Sequence, residues 1–112
     1  MRNRKARFLF WFFEAMKRPY KDKRWIRLRR SILARDGYRC QISARYGKNV
    51  PATTVHHIFP VEDYPQYWLC EWNLISVCAD AHNRMHDRST RALSDEGLEL
   101  MRRTARQRGM KI

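Results

Sequence analysis

All four histidines of the 112-residue chain stand in two pairs: His56–His57 within TTVHHIFP, and His82–His86 within HNRMH. The first pair lies among β-branched residues and runs into Pro60, which reads as a short strand and its end. Successive side chains of a strand point to opposite faces, so two adjacent imidazoles must serve two different environments. The second pair is spaced i, i+4. On a helix that spacing puts both rings on one face, with Cβ atoms about 6 Å apart and within reach of one metal ion. A fold that unites the two pairs must pack the strand against the helix. One of His56 and His57 then faces the ion, and the other faces away from it, free for proton transfer.

The rest of the chain supplies the frame. Residues 3–18 read as a first helix stopped by Pro19, with Phe8, Trp11, Phe12 and Ala15 at helical spacing. Residues 22–35 read as a second helix. Asp22 is its N-cap, Trp25, Leu28 and Ile32 its apolar stripe, and Gly37 its stop. Lys23, Arg24, Arg27 and Arg30 occupy the opposite face, which suits phosphates. Residues 38–58 read as a β-hairpin, with YRCQI as one arm, ATTVHHI as the other and RYGKNVP between them. After an irregular stretch at 60–73 and the apolar LISVC, ADAHNRMHDR reads as a helix. Ser94 caps a last helix, 95–108, which ends at Gly109.

Charge narrows the partner. The net charge is +13, and it is unevenly placed. Residues 1–45 carry 15 basic and 3 acidic side chains, residues 46–87 carry 2 and 5, and residues 88–112 carry 7 and 3. Two basic flanks bracket a slightly acidic middle that holds every histidine. Such a balance points to a polyanion, and to nucleic acid before an acidic membrane surface. No apolar run approaches the ~18–20 residues of a membrane span. The run Phe8–Phe13 is too short for a secretion signal and is broken by Glu14, so we expect a cytoplasmic protein. Cys40, Cys70 and Cys78 are too few, and odd in number, for a disulfide framework, which agrees with a reducing compartment.

The pattern LARDGYRCQ … VHHIFP … NLISVC … HNRMH, over about residues 25–88, resembles the HNH endonucleases, and among them the small phage and prophage members. The resemblance implies an α+β fold: a ββα-metal (His-Me finger) core of a β-hairpin and a helix, with two N-terminal helices and a C-terminal helix. It implies one domain over 1–112, with a basic helical part at 1–36, the core at 37–88 and the basic C-terminal helix at 89–112. By the same resemblance His56 is the strand's metal ligand and His57 the general base. Asn73 holds the loop that orients the base, and His82 and His86 are further ligands. Arg24, Arg27, Arg30 and Arg84 would meet DNA phosphates. The implied reaction is phosphodiester hydrolysis with one divalent ion per site, nicking one strand and leaving 5′-phosphate and 3′-hydroxyl ends, with little sequence specificity. Imidazole ligands suit a transition metal, with Mn²⁺ favoured and Mg²⁺, Ni²⁺, Co²⁺ or Zn²⁺ able to serve.

One feature departs from the family. Where many relatives carry two CxxC pairs around a structural zinc, this chain has Cys40–Ser43 and Cys78–Ala81. Half the thiolates are missing, so no structural zinc of the usual closed kind is expected. Two rival readings stand beside the nuclease. In the first, Cys40, Cys78, His82 and His86 form a zinc site in a non-catalytic DNA-binding module. In the second, FLFWFF docks the chain to a phage terminase or other packaging protein as an adaptor. A monomer or weak dimer is expected.

Overall fold

The computed structural model describes residues 22–111. The expected first helix, with its FLFWFF run, lies outside the described residues. Helix α1 is Lys23–Arg35. The Asp22 carboxylate accepts the Arg24 amide at its start, as the sequence predicts, and Gly37 at φ +62° ends the turn beyond it. A short helix α2, Gln41–Arg45, follows. Strand β1, Thr54–His57, pairs antiparallel with strand β2, Leu74–Val77, to make the sheet. Helix α3, Ala79–Arg84, leads directly out of β2. Helix α4, Asp95–Gln107, is capped by Ser94, whose hydroxyl accepts the Gly97 amide.

The hairpin differs from the expectation. The arm YRCQI is not a ladder strand: it touches ATTVHHI through a single bridge, Arg39 to Pro51, and then turns into α2. The cause is local. The Cys40 sulfur accepts the Ser43 amide as an N-cap, and the Gln41 side chain donates to the carbonyls of Asp36 and Arg39. Ile42 is then buried from a helix rather than from a strand. The true partner of β1 is LISV, reached through a long connection that turns twice, at Pro65–Tyr67 and Glu71–Asn73.

The two strands separate two cores. Register places Val55 opposite Ser76 and His57 opposite Leu74, and these residues face α1. Val55 and Leu74 pack with Ile32, Leu33, Trp25 and Leu28 of that helix. His56 lies opposite Ile75, on the other face. There Ile75, Val77 and Phe59 join Ala81 of α3 and Leu100 and Ala105 of α4. Four side chains fasten α1 to the sheet. Arg29 donates to the Thr53 carbonyl at 3.2 Å, Arg35 to the Leu74 carbonyl at 2.7 Å and Ser76 Oγ to the Ile32 carbonyl at 3.4 Å, while the Asp36 carboxylate accepts the Ser76 amide at 3.0 Å. On the opposite side, Gly97 lets α4 sit tight on the end of α3: a Cβ there would strike the Met85 carbonyl and Leu93. No helix among the described residues is long and apolar enough to cross a membrane.

Candidate metal centre and its neighbouring histidine

His56, His82 and His86 converge. Each offers a ring nitrogen, and these atoms lie within 4.8 Å of one another. The rings form a near-equilateral triangle, with centroids 5.4 Å apart for His56–His82, 5.3 Å for His56–His86 and 5.0 Å for His82–His86. His56 is 1% exposed, yet its Nε2 has no hydrogen-bond partner among the described residues. A buried polar nitrogen left bare costs about 1–3 kcal/mol, and an ion among three imidazoles would satisfy it. Burial, and then the proximity of His82, His86 and His57, drives the His56 pKa down to about 3. His82 is lowered as well, by burial and then by His86. Neutral imidazole is the form that binds a metal.

His86 reaches the triangle by a different route from the one expected. The helix stops at Arg84, with Met85 as its cap, so HNRMH is not helical throughout. His86 instead pairs with Leu93 in an isolated bridge. The loop between them is tied by Asp87, whose carboxylate accepts the amides of Ser89 and Thr90. Arg91, in left-handed backbone at φ +60°, turns its carbonyl to within 3.3 Å of His86 Nδ1. A carbonyl only accepts, so Nδ1 carries the proton and Nε2 is the free lone pair.

His57 occupies the other face of β1, as strand alternation requires. Its Nε2 lies 3.0 Å from the Trp68 carbonyl, and the Trp25 indole stacks on its ring at 5.1 Å and 19°. By the same reasoning Nε2 holds the proton, and Nδ1 is left as a base. Burial lowers the His57 pKa, the Trp68 hydrogen bond opposes that shift, and His82 adds to it. Asn73, fully buried, clasps the connecting loop. Its Oδ1 accepts the Phe59 amide at 2.7 Å, and its Nδ2 donates to the carbonyls of Phe59 and Tyr67, each at 3.2 Å. Tyr67 precedes Trp68, so Asn73 fixes the carbonyl that orients His57. His56, His57, His82, His86 and Arg91 border one open cleft of about 680 Å³.

The four arginines expected at phosphates lie on the surface, in different states. Arg27 and Arg30 are exposed on α1. Arg24 is exposed too, but its guanidinium is engaged by Asp22 at 2.9 Å and lies over the Trp68 ring. Arg84 is 3.5 Å from Glu96. The thiols stand apart from the histidine triangle, since the group able to hold an ion among the described residues contains no cysteine. Cys40 and Cys78 cap α2 and α3, accepting the amides of Ser43 and Ala81. Burial would raise the Cys40 thiol, but donors from Ser43 and Cys78 hold it at about 7. This arrangement gives no support to a Cys₂His₂ site among the described residues. Sequence reasoning missed the parts played by the Trp68 and Arg91 carbonyls, which leave no side-chain signature. It placed Trp25 in the apolar stripe but not against His57.

A two-stranded sheet, a helix leading straight out of it, and an imidazole triangle between them define an HNH-endonuclease-like protein with a ββα-metal core. The particular structure that it matches is the crystal structure of the HNH endonuclease of the deep-sea thermophilic bacteriophage GVE2, with manganese ion. The two are 29% identical, with a TM-score of 0.61, over 74% of this chain and 89% of that one. No protein-family model and no curated protein matches the sequence.

Proposed function

We propose that the chain is a metal-dependent DNA endonuclease that nicks one strand per site with low sequence specificity. The observation that carries this reading is the division of labour across β1: His56 joins a three-imidazole cluster, and His57, next to it, is excluded from that cluster with one nitrogen free. The likeness to the phage endonuclease supports it. His56, His82 and His86 would hold the ion, with Mn²⁺ favoured, as the manganese of the relative suggests. Held by these three imidazoles, a divalent ion would supply Lewis-acid stabilisation of the charge that develops on the phosphoryl group.

The chain's own groups do the rest. His57 Nδ1 takes a proton from the attacking water, and its Nε2–H stays on the Trp68 carbonyl, which stabilises the imidazolium as it forms. Asn73 holds that carbonyl in place through the loop. The wall of the cleft excludes part of the solvent, and burial keeps His57 unprotonated at neutral pH. Arg27 and Arg30 bind flanking phosphates, which positions DNA without reading it. The three free cysteines fit a reducing cytoplasm.

Supercoiled plasmid incubated with the purified protein and each of Mn²⁺, Mg²⁺, Ni²⁺, Co²⁺ and Zn²⁺ tests the proposal. Open-circular product is expected with Mn²⁺, none with EDTA, and a loss of about 10²–10⁴-fold in rate for His57→Ala. Conversion no faster than that of His57→Ala, with every metal, would overturn it.

A further inference from the structure

We infer that Trp25 is a positioning residue for His57: its indole is a fixed wall that holds the imidazole in the plane from which Nδ1 meets the attacking water. The inference rests on the nuclease reading and deepens it. A hydrogen bond at one nitrogen leaves a histidine ring free to pivot, because the torsion about Cβ–Cγ is broad. The Trp68 carbonyl, at 3.0 Å, anchors the His57 ring at Nε2. The Trp25 ring, 5.1 Å away and only 19° from parallel, closes one face of the imidazole and blocks that pivot.

The wall itself is firm. Trp25 lies in the first turn of α1, and the same helix is bolted to β2 by Arg35, Asp36 and Ser76 and to Thr53, just before β1, by Arg29. It also packs with Leu28 and Ala52 over the small core of Ile32, Leu33, Val55 and Leu74. Its helix carries Arg27 and Arg30 on the outer surface. One rigid element therefore presents cations to the DNA and an aromatic plane to the base, which ties the approach of the phosphate backbone to the setting of His57.

Packing alone is the plain alternative, and Trp25→Leu separates the two, since leucine fills space but has no ring face. Trp25→Phe restores a ring face. Two readouts are needed. In metal-free protein labelled at histidine carbons, the His57 ring protons should be shifted upfield by the indole. The shift should vanish in Trp25→Leu and return in part in Trp25→Phe. In single-turnover nicking with Mn²⁺, Trp25→Leu should lose about 10–100-fold in rate, the scale of a slightly misplaced catalytic group. KM and Mn²⁺ affinity should stay within about two-fold, and Trp25→Phe should recover most of the rate. The inference is overturned if Trp25→Leu nicks like the parent, or if Leu and Phe variants lose rate equally and in step with their melting temperatures. A parent protein that fails to nick with any of the metals overturns the nuclease reading instead. The His57 ring shift then still decides whether Trp25 holds that ring.

Discussion

The two faces of the small sheet solve opposite problems. On the α1 face each of these polar side chains has a partner: Ser76 meets Ile32 and Asp36, Arg35 meets Leu74, and His57, through Nε2 and its ring face, meets Trp68 and Trp25. On the α3 face His56 is more deeply buried than His57, and its Nε2 meets nothing among the described residues. A protein that could satisfy one imidazole with a backbone carbonyl could have satisfied the other. On the proposed function, the bare nitrogen is where a cation would bind, and the partnered ring, with its second nitrogen free, is where a proton would be taken up.

The contrast can be broken by acid. In metal-free protein His56 stays neutral down to about pH 3, whereas in the unfolded chain it takes up a proton near 6.5. The unfolded state therefore binds more protons between those values, and stability falls as pH drops from about 6.5 towards 3. The gap between those two values sets a ceiling of about 5 kcal/mol on the loss from His56 alone. Urea unfolding in EDTA at stepped pH measures it, and a flat profile from pH 7 to 4 would show that His56 is not buried as described.

Next in size is Asn73→Ala, which strips the partner from the buried Phe59 amide and frees two carbonyls. A loss of about 3 kcal/mol in unfolding free energy is expected. In the fraction that stays folded, nicking should fall while Mn²⁺ binding holds, because the clasp serves the His57 side of the sheet. Smaller still, His56→Leu should raise metal-free stability by about 1–2 kcal/mol by removing the orphaned nitrogen, and should remove most of the acid sensitivity. Destabilisation of the metal-free protein by that change would mean that Nε2 has a partner in solution. Smallest is the paired change Arg27→Gln, Arg30→Gln. It should lower the slope of log K against log salt by up to about 2 on duplex DNA, with the nicking step unchanged. Arg24 is left out because Asp22 and the Trp68 ring already hold it.

The sequence disclosed the parts governed by local rules. Asp22 and Ser94 mark the starts of α1 and α4, and both accept the amides expected of N-caps. The histidine pairs disclosed the site, because strand alternation alone separates His56 from His57. The partner of β1 was not legible. LISV is buried on both faces, so it shows no alternation, and its pairing is made across the long 58–73 connection. The YRCQI arm misled because one buried Ile42 fits a strand or a helix equally well, and the Cys40 cap decided for the helix. His86 lies beside His56 and His82 by a route the i, i+4 spacing does not describe: its position comes from the Leu93 bridge and the Arg91 carbonyl rather than from a helical turn.

The central claim is that adjacent histidines on one strand do different work, and calorimetric titration of Mn²⁺ into two variants tests it most directly. His57→Ala should bind Mn²⁺ within a few-fold of the parent, and His56→Ala should lose most of its affinity. If instead His57→Ala abolishes binding and His56→Ala spares it, the faces of β1 are assigned the wrong way round and the account fails.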